Sequence, residues 1–123
     1  MNKKQKLLKE KEVYSSYHIP SMPHYMKRPK CAIYINPSNS LEHEILKLKT
    51  CYDLQSNGSK YITEAMRNTK DKKGKDRRVD IVDISSGKEF EVEMEKRRAK
   101  RFEGEKGVIV IKGWENTEQS QTD

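Results

Sequence analysis

This chain of 123 residues has little with which to build a disulfide scaffold, a membrane span or an extended core. Its two cysteines, Cys31 and Cys51, show no Cys-x-x-Cys spacing, which excludes a disulfide framework and makes a reducing compartment the default. His18, His24 and His43 match no zinc-site spacing with them, so a zinc cage is not expected. No apolar run approaches the roughly 18–20 residues that cross a bilayer, and the basic N-terminus lacks the apolar stretch of a secretory signal. The chain therefore reads as soluble, intracellular and cytoplasmic, with no membrane partner. Internal repeats and long low-complexity tracts are missing too. Hydrophobic residues make up 33% against 37% charged, which is lean, so a single modest domain is expected with its ends outside the core.

Charge is what the chain has in excess. A net charge of +7 and an isoelectric point near 9.4 favour an acidic partner, such as nucleic acid or an anionic membrane surface. Up to Ser38 there are eight bases against two acids, Glu10 and Glu12, so the first third holds most of the excess. Two further basic groups, Lys70–Arg78 and Lys96–Arg101, flank an acidic segment. An acidic centre with basic margins suits a phosphate polymer held over a metal.

Three regions are expected: a basic arm with Pro and Tyr over 1–38, a domain over 39–115 and a disordered tail over 116–123. In the arm, Met1–Glu12 reads as a frayed helix or a disordered tail. Tyr14, Tyr17 and Tyr25, interleaved with Lys27, Arg28 and Lys30, suit stacking on bases, and equally suit packing on the chain's own domain. Cys31–Ile35 can add an edge strand. The domain begins with an N-cap at Asn39 or Ser40 and a helix from Leu41 to about Gln55, closed by Asn57-Gly58. Leu41, Ile45, Leu48 and Tyr52 are its apolar stripe, with Glu44 at the margin and Glu42 pointing away. Lys60–Met66 reads as a strand and Arg67–Asp76 as a mobile charged loop. After the acidic segment come a short basic helix over Glu95–Glu103, with Ala99 and Phe102 inward, and a strand over Gly107–Trp114 apolar enough to be covered on both faces.

The acidic segment itself is a hairpin: Val79–Ile84, a Ser85–Lys88 turn and Glu89–Glu95, where Phe90, Val92 and Met94 alternate with glutamates. Pairing Ile84 with Glu89 sets Asp80 opposite Glu93 and Glu91 on the diagonal, with facing Cβ atoms about 4.5–5.5 Å apart. Like charges so placed destabilise a sheet unless a cation neutralises them, and a divalent metal is the obvious candidate. Glutamates simply solvated on a wet face are the plain alternative.

The order helix, strand, strand, strand, helix, strand, with an aspartate on the second strand and Glu-x-Glu on the third, resembles the restriction-endonuclease-like PD-(D/E)xK nuclease superfamily, including its small archaeal Holliday-junction resolvases. The likeness covers roughly Ser40–Trp114. It implies an α/β fold with a four-stranded mixed sheet flanked by helices, and metal-dependent endonuclease activity on DNA, of the kind small homodimeric members have. Branched or virus-derived DNA would then be the substrate. By the same resemblance Asp80 and Glu91 are the ligands of Mg2+ (or Mn2+), and Glu44 is the acidic residue supplied by the first helix, with Glu42 and Glu64 as weaker candidates. Glu93 stands where the family usually carries lysine, and some restriction enzymes use Glu-x-Glu. Residue chemistry agrees with this set: magnesium takes oxygen ligands and needs only one or two protein carboxylates, Glu93 can serve as general base or further ligand, and Arg77, Arg78, Lys96, Arg97, Arg98 and Lys100 can hold the phosphodiester backbone. The catalytic set is thus Glu44, Asp80, Glu91 and Glu93. The alternatives are a non-catalytic nucleic-acid-binding protein on a nuclease-like scaffold and an assembly protein with a basic arm.

Overall fold

Two capped helices start the chain's organisation. In a computed structural model describing residues 2–19, 30–68 and 78–115, the Lys-rich N-terminus is not a tail but a regular helix, α1, Lys3–Ser15. A reciprocal capping box explains it: Gln5 N–H donates to Asn2 Oδ1 (2.8 Å) and Asn2 N–H to Gln5 Oε1 (3.1 Å). The second helix, α2, Leu41–Ser56, begins at Ser40, whose hydroxyl accepts the His43 N–H, and stops at Asn57 before Gly58, which sits at φ +80°.

The sheet is open, mixed and five-stranded, in the order β1 (Tyr17–His18), β2 (Tyr61–Arg67), β3 (Arg78–Asp83), β4 (Glu89–Glu93), β5 (Val108–Lys112). Neighbours are antiparallel except β4 and β5, whose parallel pairing requires the crossover through α3 (Lys96–Ala99) and a 3-10 turn at Lys100–Phe102. The α/β class expected from the sequence holds, but the strand count does not. The fifth strand is β1, pairing Tyr17 with Arg67 and His18 with Met66. Cys31–Ile35, expected at an edge, forms no strand. Its contacts to β2 run partly through a side chain: Cys31 N–H donates to Tyr61 O, but Tyr34 N–H and Ala32 O both meet the Thr63 hydroxyl at 2.9 Å. The β5 strand, expected to be covered on both faces, is a half-exposed edge, because the crossover that follows β4 is too short to shield it.

Apolar side chains form two clusters. Ile62, Ala65, Val79, Val82 and Ile84 pack with Tyr17, Val13 and Tyr14, while Tyr61, Ile81 and Cys51 pack with Ile33, Leu54 and Phe90. Burial pushes the Cys51 thiol up to about 12, so it serves as an inert apolar group. Strict alternation cannot put Ile62 with Ala65, or Val79 with Val82. Both strands change phase, and they do so where Glu64, at φ +52°, stands across from Asp80 between the Thr63–Ile81 and Ala65–Val79 pairs. The change keeps the register but re-aims the side chains at that level.

Two of the arm's tyrosines, Tyr14 and Tyr17, are used internally. Tyr14 packs on the first cluster with the Lys30 ammonium 4.9 Å from its ring centroid. Tyr17 O–H donates to Glu89 Oε2 at 2.6 Å, and the Arg67 guanidinium grips both oxygens of the same carboxylate, with Nε at 2.5 Å. Burial, then the bond to Glu89, raises the Tyr17 pKa, so the phenol stays a donor. Tyr25, Lys27, Arg28, the charged loop's residues 69–77 and the expected tail at 116–123 lie outside the described residues.

Glu89 is only 3% exposed, so the loss of either of these partners is costly. Arg67→Met should therefore cost about 2–3 kcal/mol and Tyr17→Phe about 1 kcal/mol. Urea denaturation of both variants checks the order; a Tyr17→Phe loss as large as that of Arg67→Met would show that the phenol, not the guanidinium, holds Glu89.

Candidate functional site

The hairpin register differs from the expected one by two residues. Val82 rather than Ile84 pairs with Glu89, and Ile81 pairs with Phe90. The turn sets this: buried Asp83 accepts from Ser85 N–H and the Ser86 hydroxyl, Gly87 supplies φ +82°, and Ile84 N–H leaves the hairpin for Lys60 O on the β2 side. A shift of two keeps every side chain's face but changes its partner. Asp80 now meets Glu91, not Glu93.

Side chains tie the two strands together at this level. Asp80 N–H donates to Glu91 Oε1 (3.1 Å), and Val92 N–H donates to Asp80 Oδ2 (2.8 Å). Beyond Ile81–Phe90, therefore, these carboxylates take amide donors that would otherwise extend the ladder. Both side chains are buried.

The α2 helix presents the face opposite to the one its apolar stripe predicts. Leu41 and Tyr52 are 70% and 71% exposed, Ile45 and Leu48 are exposed as well, while His43, Glu44, Lys47 and Cys51 face the sheet. Glu44 is thus not marginal but buried. Its Oε1 accepts from Asn36 N–H (2.6 Å) and the Lys47 ammonium (2.7 Å), and its Oε2 from His43 Nδ1 (2.8 Å). Burial opposes its ionisation, but these three donors outweigh burial and hold the carboxyl below its usual range. His43 Nε2 then lies 3.4 Å from Asp80 Oδ2, so the imidazole bridges helix and strand. Lys47, with no exposed surface, also donates to Tyr34 O at 2.7 Å and approaches Glu64 Oε1 to 3.6 Å. Among the described residues neither oxygen of buried Glu64 has a partner at full hydrogen-bonding geometry, and burial raises its carboxyl's pKa against the pull of Lys47 and of the nearby Asn36 side chain.

Glu93 has separate partners. Its Oε1 accepts from Met94 and Glu95 N–H at 3.1 and 3.2 Å, and Oε2 lies 3.4 Å from the Arg101 guanidinium. Glu42 is exposed. Arg78, Lys96, Arg97, Arg98 and Lys100 are also solvent-exposed, and Arg97 and Arg98 pair with Glu95 at 2.9 and 3.9 Å. Arg77 lies outside the described residues. The sequence reading missed His43, Lys47 and Arg101. A signal was available for the first two, since residues 43, 44, 47 and 51 share one helical face.

No family model, curated protein or solved structure matches the chain. Among the described residues no three His, Cys, Asp or Glu side chains form a group able to hold a metal ion. Asp80 and Glu91 supply carboxylate oxygens, the donor type a hard cation takes, and in this structure those oxygens accept from the Val92 and Asp80 amides. Asp80 also lies 3.4 Å from His43 Nε2, while Lys47 pairs with Glu44.

Burial lowers the His43 pKa, but hydrogen bonds and charge from Asp80 and Glu44 prevail and raise it from 6.5 to about 9. A folded pKa above the unfolded one adds stability below the unfolded value and loses it as pH climbs through the folded one. Unfolding free energy should thus fall between pH 6.5 and about 9 by on the order of 3 kcal/mol, and His43→Gln should remove most of that slope. Urea titrations across the window test this; a flat wild-type profile would mean that His43 is not an imidazolium. At neutral pH Lys47→Met should cost about 3–5 kcal/mol by leaving Glu64 without its nearby cation and removing one of Glu44's three donors, whereas Glu64→Gln should stabilise by about 1 kcal/mol. Thermal unfolding decides, and a destabilising Glu64→Gln would show that the attraction of Lys47 outweighs the burial of that carboxylate.

Proposed function

We propose that this chain is a metal-dependent DNA endonuclease of the PD-(D/E)xK kind. The observation that carries the reading is the meeting of Asp80 and Glu91 at the level where strand pairing gives way to side-chain bonds, Glu91 accepting from the Asp80 amide and Asp80 from the Val92 amide, with Glu44 linked to Asp80 through His43. The order α2, β2, β3, β4, α3, β5 supports it as well.

In this reading Asp80 and Glu91 would hold Mg2+ or Mn2+. The metal supplies acidification of a water and neutralisation of charge on the scissile phosphate. The chain's own residues do the rest. Glu44 orients His43, and His43 fixes Asp80 Oδ2, so Glu44 acts as a positioning residue. Glu93, held at the start of α3 by two amides and Arg101, is the general base towards the attacking water. Exposed Arg78, Lys96, Arg97, Arg98 and Lys100 give salt-sensitive, largely sequence-independent grip on the backbone. Arg77 belongs to the same basic set.

A second reading, a non-catalytic nucleic-acid-binding protein on this scaffold, draws on one observation. Glu93 replaces the usual lysine, while His43 and Lys47 already neutralise the acidic cluster from within. Labelled four-way junction, linear duplex and single-stranded DNA, incubated with Mg2+, Mn2+ or EDTA, separate the two. Metal-dependent cleavage should appear and fall on the order of 100-fold or more in Asp80→Asn and Glu91→Gln, with DNA affinity retained. Binding without cleavage in either metal would overturn the enzyme and favour the second reading.

A further inference from the structure

The exposed face of α2 is an apolar seam with no partner among the described residues. Leu41, Ile45, Leu48 and Tyr52 follow one another at steps of four, three and four residues, the 3.5-residue period of a coiled-coil core and narrower than the stripe of a helix that packs on its own domain. That seam sits on a folded support, because the opposite face is anchored by Glu44 and Lys47. Beside its C-terminal half runs an open apolar groove of about 280 Å³, lined by Leu48 and Tyr52 on the helix and by Ile33 and Tyr61 opposite.

We propose that this face is where two copies of the chain associate, through an antiparallel pairing of α2 with α2 around a two-fold axis between residues 46 and 47. Self-complementarity names the occupant. About such an axis Ile45 meets the partner's Leu48, and Leu41 meets the partner's Tyr52 and enters the groove beside it. Each contact occurs twice, as an isologous interface requires. The flanking charges obey the same symmetry: Glu42 and Lys49, one heptad apart on one edge of the seam and both exposed, fall opposite the partner's Lys49 and Glu42. A parallel in-register pairing would put the two copies' Glu42–Lys49 edges on opposite sides of the seam and form neither contact. The pairing does not touch the two acidic sites, since they lie on the other side of α2. The interface does not depend on whether the chain cleaves DNA.

Sedimentation velocity of the full chain over a concentration series tests the proposal. The wild type should dimerise, and Leu48→Glu should raise the dissociation constant at least about tenfold while far-UV circular dichroism stays unchanged, because the side chain is half-exposed in the single chain. Glu42→Lys and Lys49→Glu should each weaken the dimer about five- to tenfold, since each puts two like-charge contacts across the axis, and the double variant should return to within about threefold of wild type. A wild type that stays monomeric to hundreds of micromolar overturns the proposal and leaves the face to a foreign helix. So does a dimer indifferent to Leu48→Glu, or a double variant as weak as its parents.

Discussion

The ammonium of Lys47 is the contact on which the arrangement of this protein turns. It is wholly buried on the underside of α2, where it binds Glu44, the carbonyl of Tyr34 and, more distantly, Glu64. A buried cation is retained only if its partners are fixed, and fixing them settles several things together. The segment ahead of α2 is drawn in through Tyr34 and Asn36. Glu44 is oriented to receive His43, and His43 reaches Asp80. Docking by charge also rolls the helix, so its apolar stripe faces outward.

The left-handed backbone at Glu64 belongs to the same constraint. An extended glutamate there would preserve the alternation of β2 and leave Val79 and Ala65 on the same side as Ile81 and Tyr61. The strain of φ +52° at a non-glycine residue is instead accepted at the level of the acidic residues. Its consequence is that both strands turn together and Asp80 is presented to α2. Strain, an unsatisfied carboxylate and a break in the ladder thus coincide at one level of the sheet, and local rules are expected to fail together at functional sites.

This explains what the sequence made legible. The limits of α2 follow from its capping residues, the strands of the hairpin from period-2 alternation and β5 from a near-continuous apolar run, all of them local signals. The pairing of Asp80 with Glu91 was one turn-geometry step away: a four-residue loop was anticipated, but the side chain of Asp83 and the N–H of Ile84 moved it two residues upstream. The orientation of α2 was not legible from hydropathy, because the rule that a helix buries its apolar face assumes that the other face has no better partner. His43, Glu44 and Lys47 had one. The N-terminal helix was hidden for a related reason, since its lysine-rich composition resembles a tail, while Asn2, Gln5 and a few contacts through Glu10, Val13 and Tyr14 suffice to fix it.

The two faces of α2 are mechanically linked, and this bears on the acidic site. A helix docked by three polar groups has little freedom to slide but can roll about its axis, and a roll moves Glu44 and His43 against Asp80 with the lever arm of their side chains. Packing inside the domain resists that roll chiefly through Leu46 and Cys51. Any partner seated on Leu41, Ile45, Leu48 and Tyr52 would resist it from the other side, adding to the rigidity of the inner face without touching it. An exposed apolar seam and a buried charged face on one helix are then two parts of one design. The charges choose which way the helix turns, and whatever covers the seam holds it there.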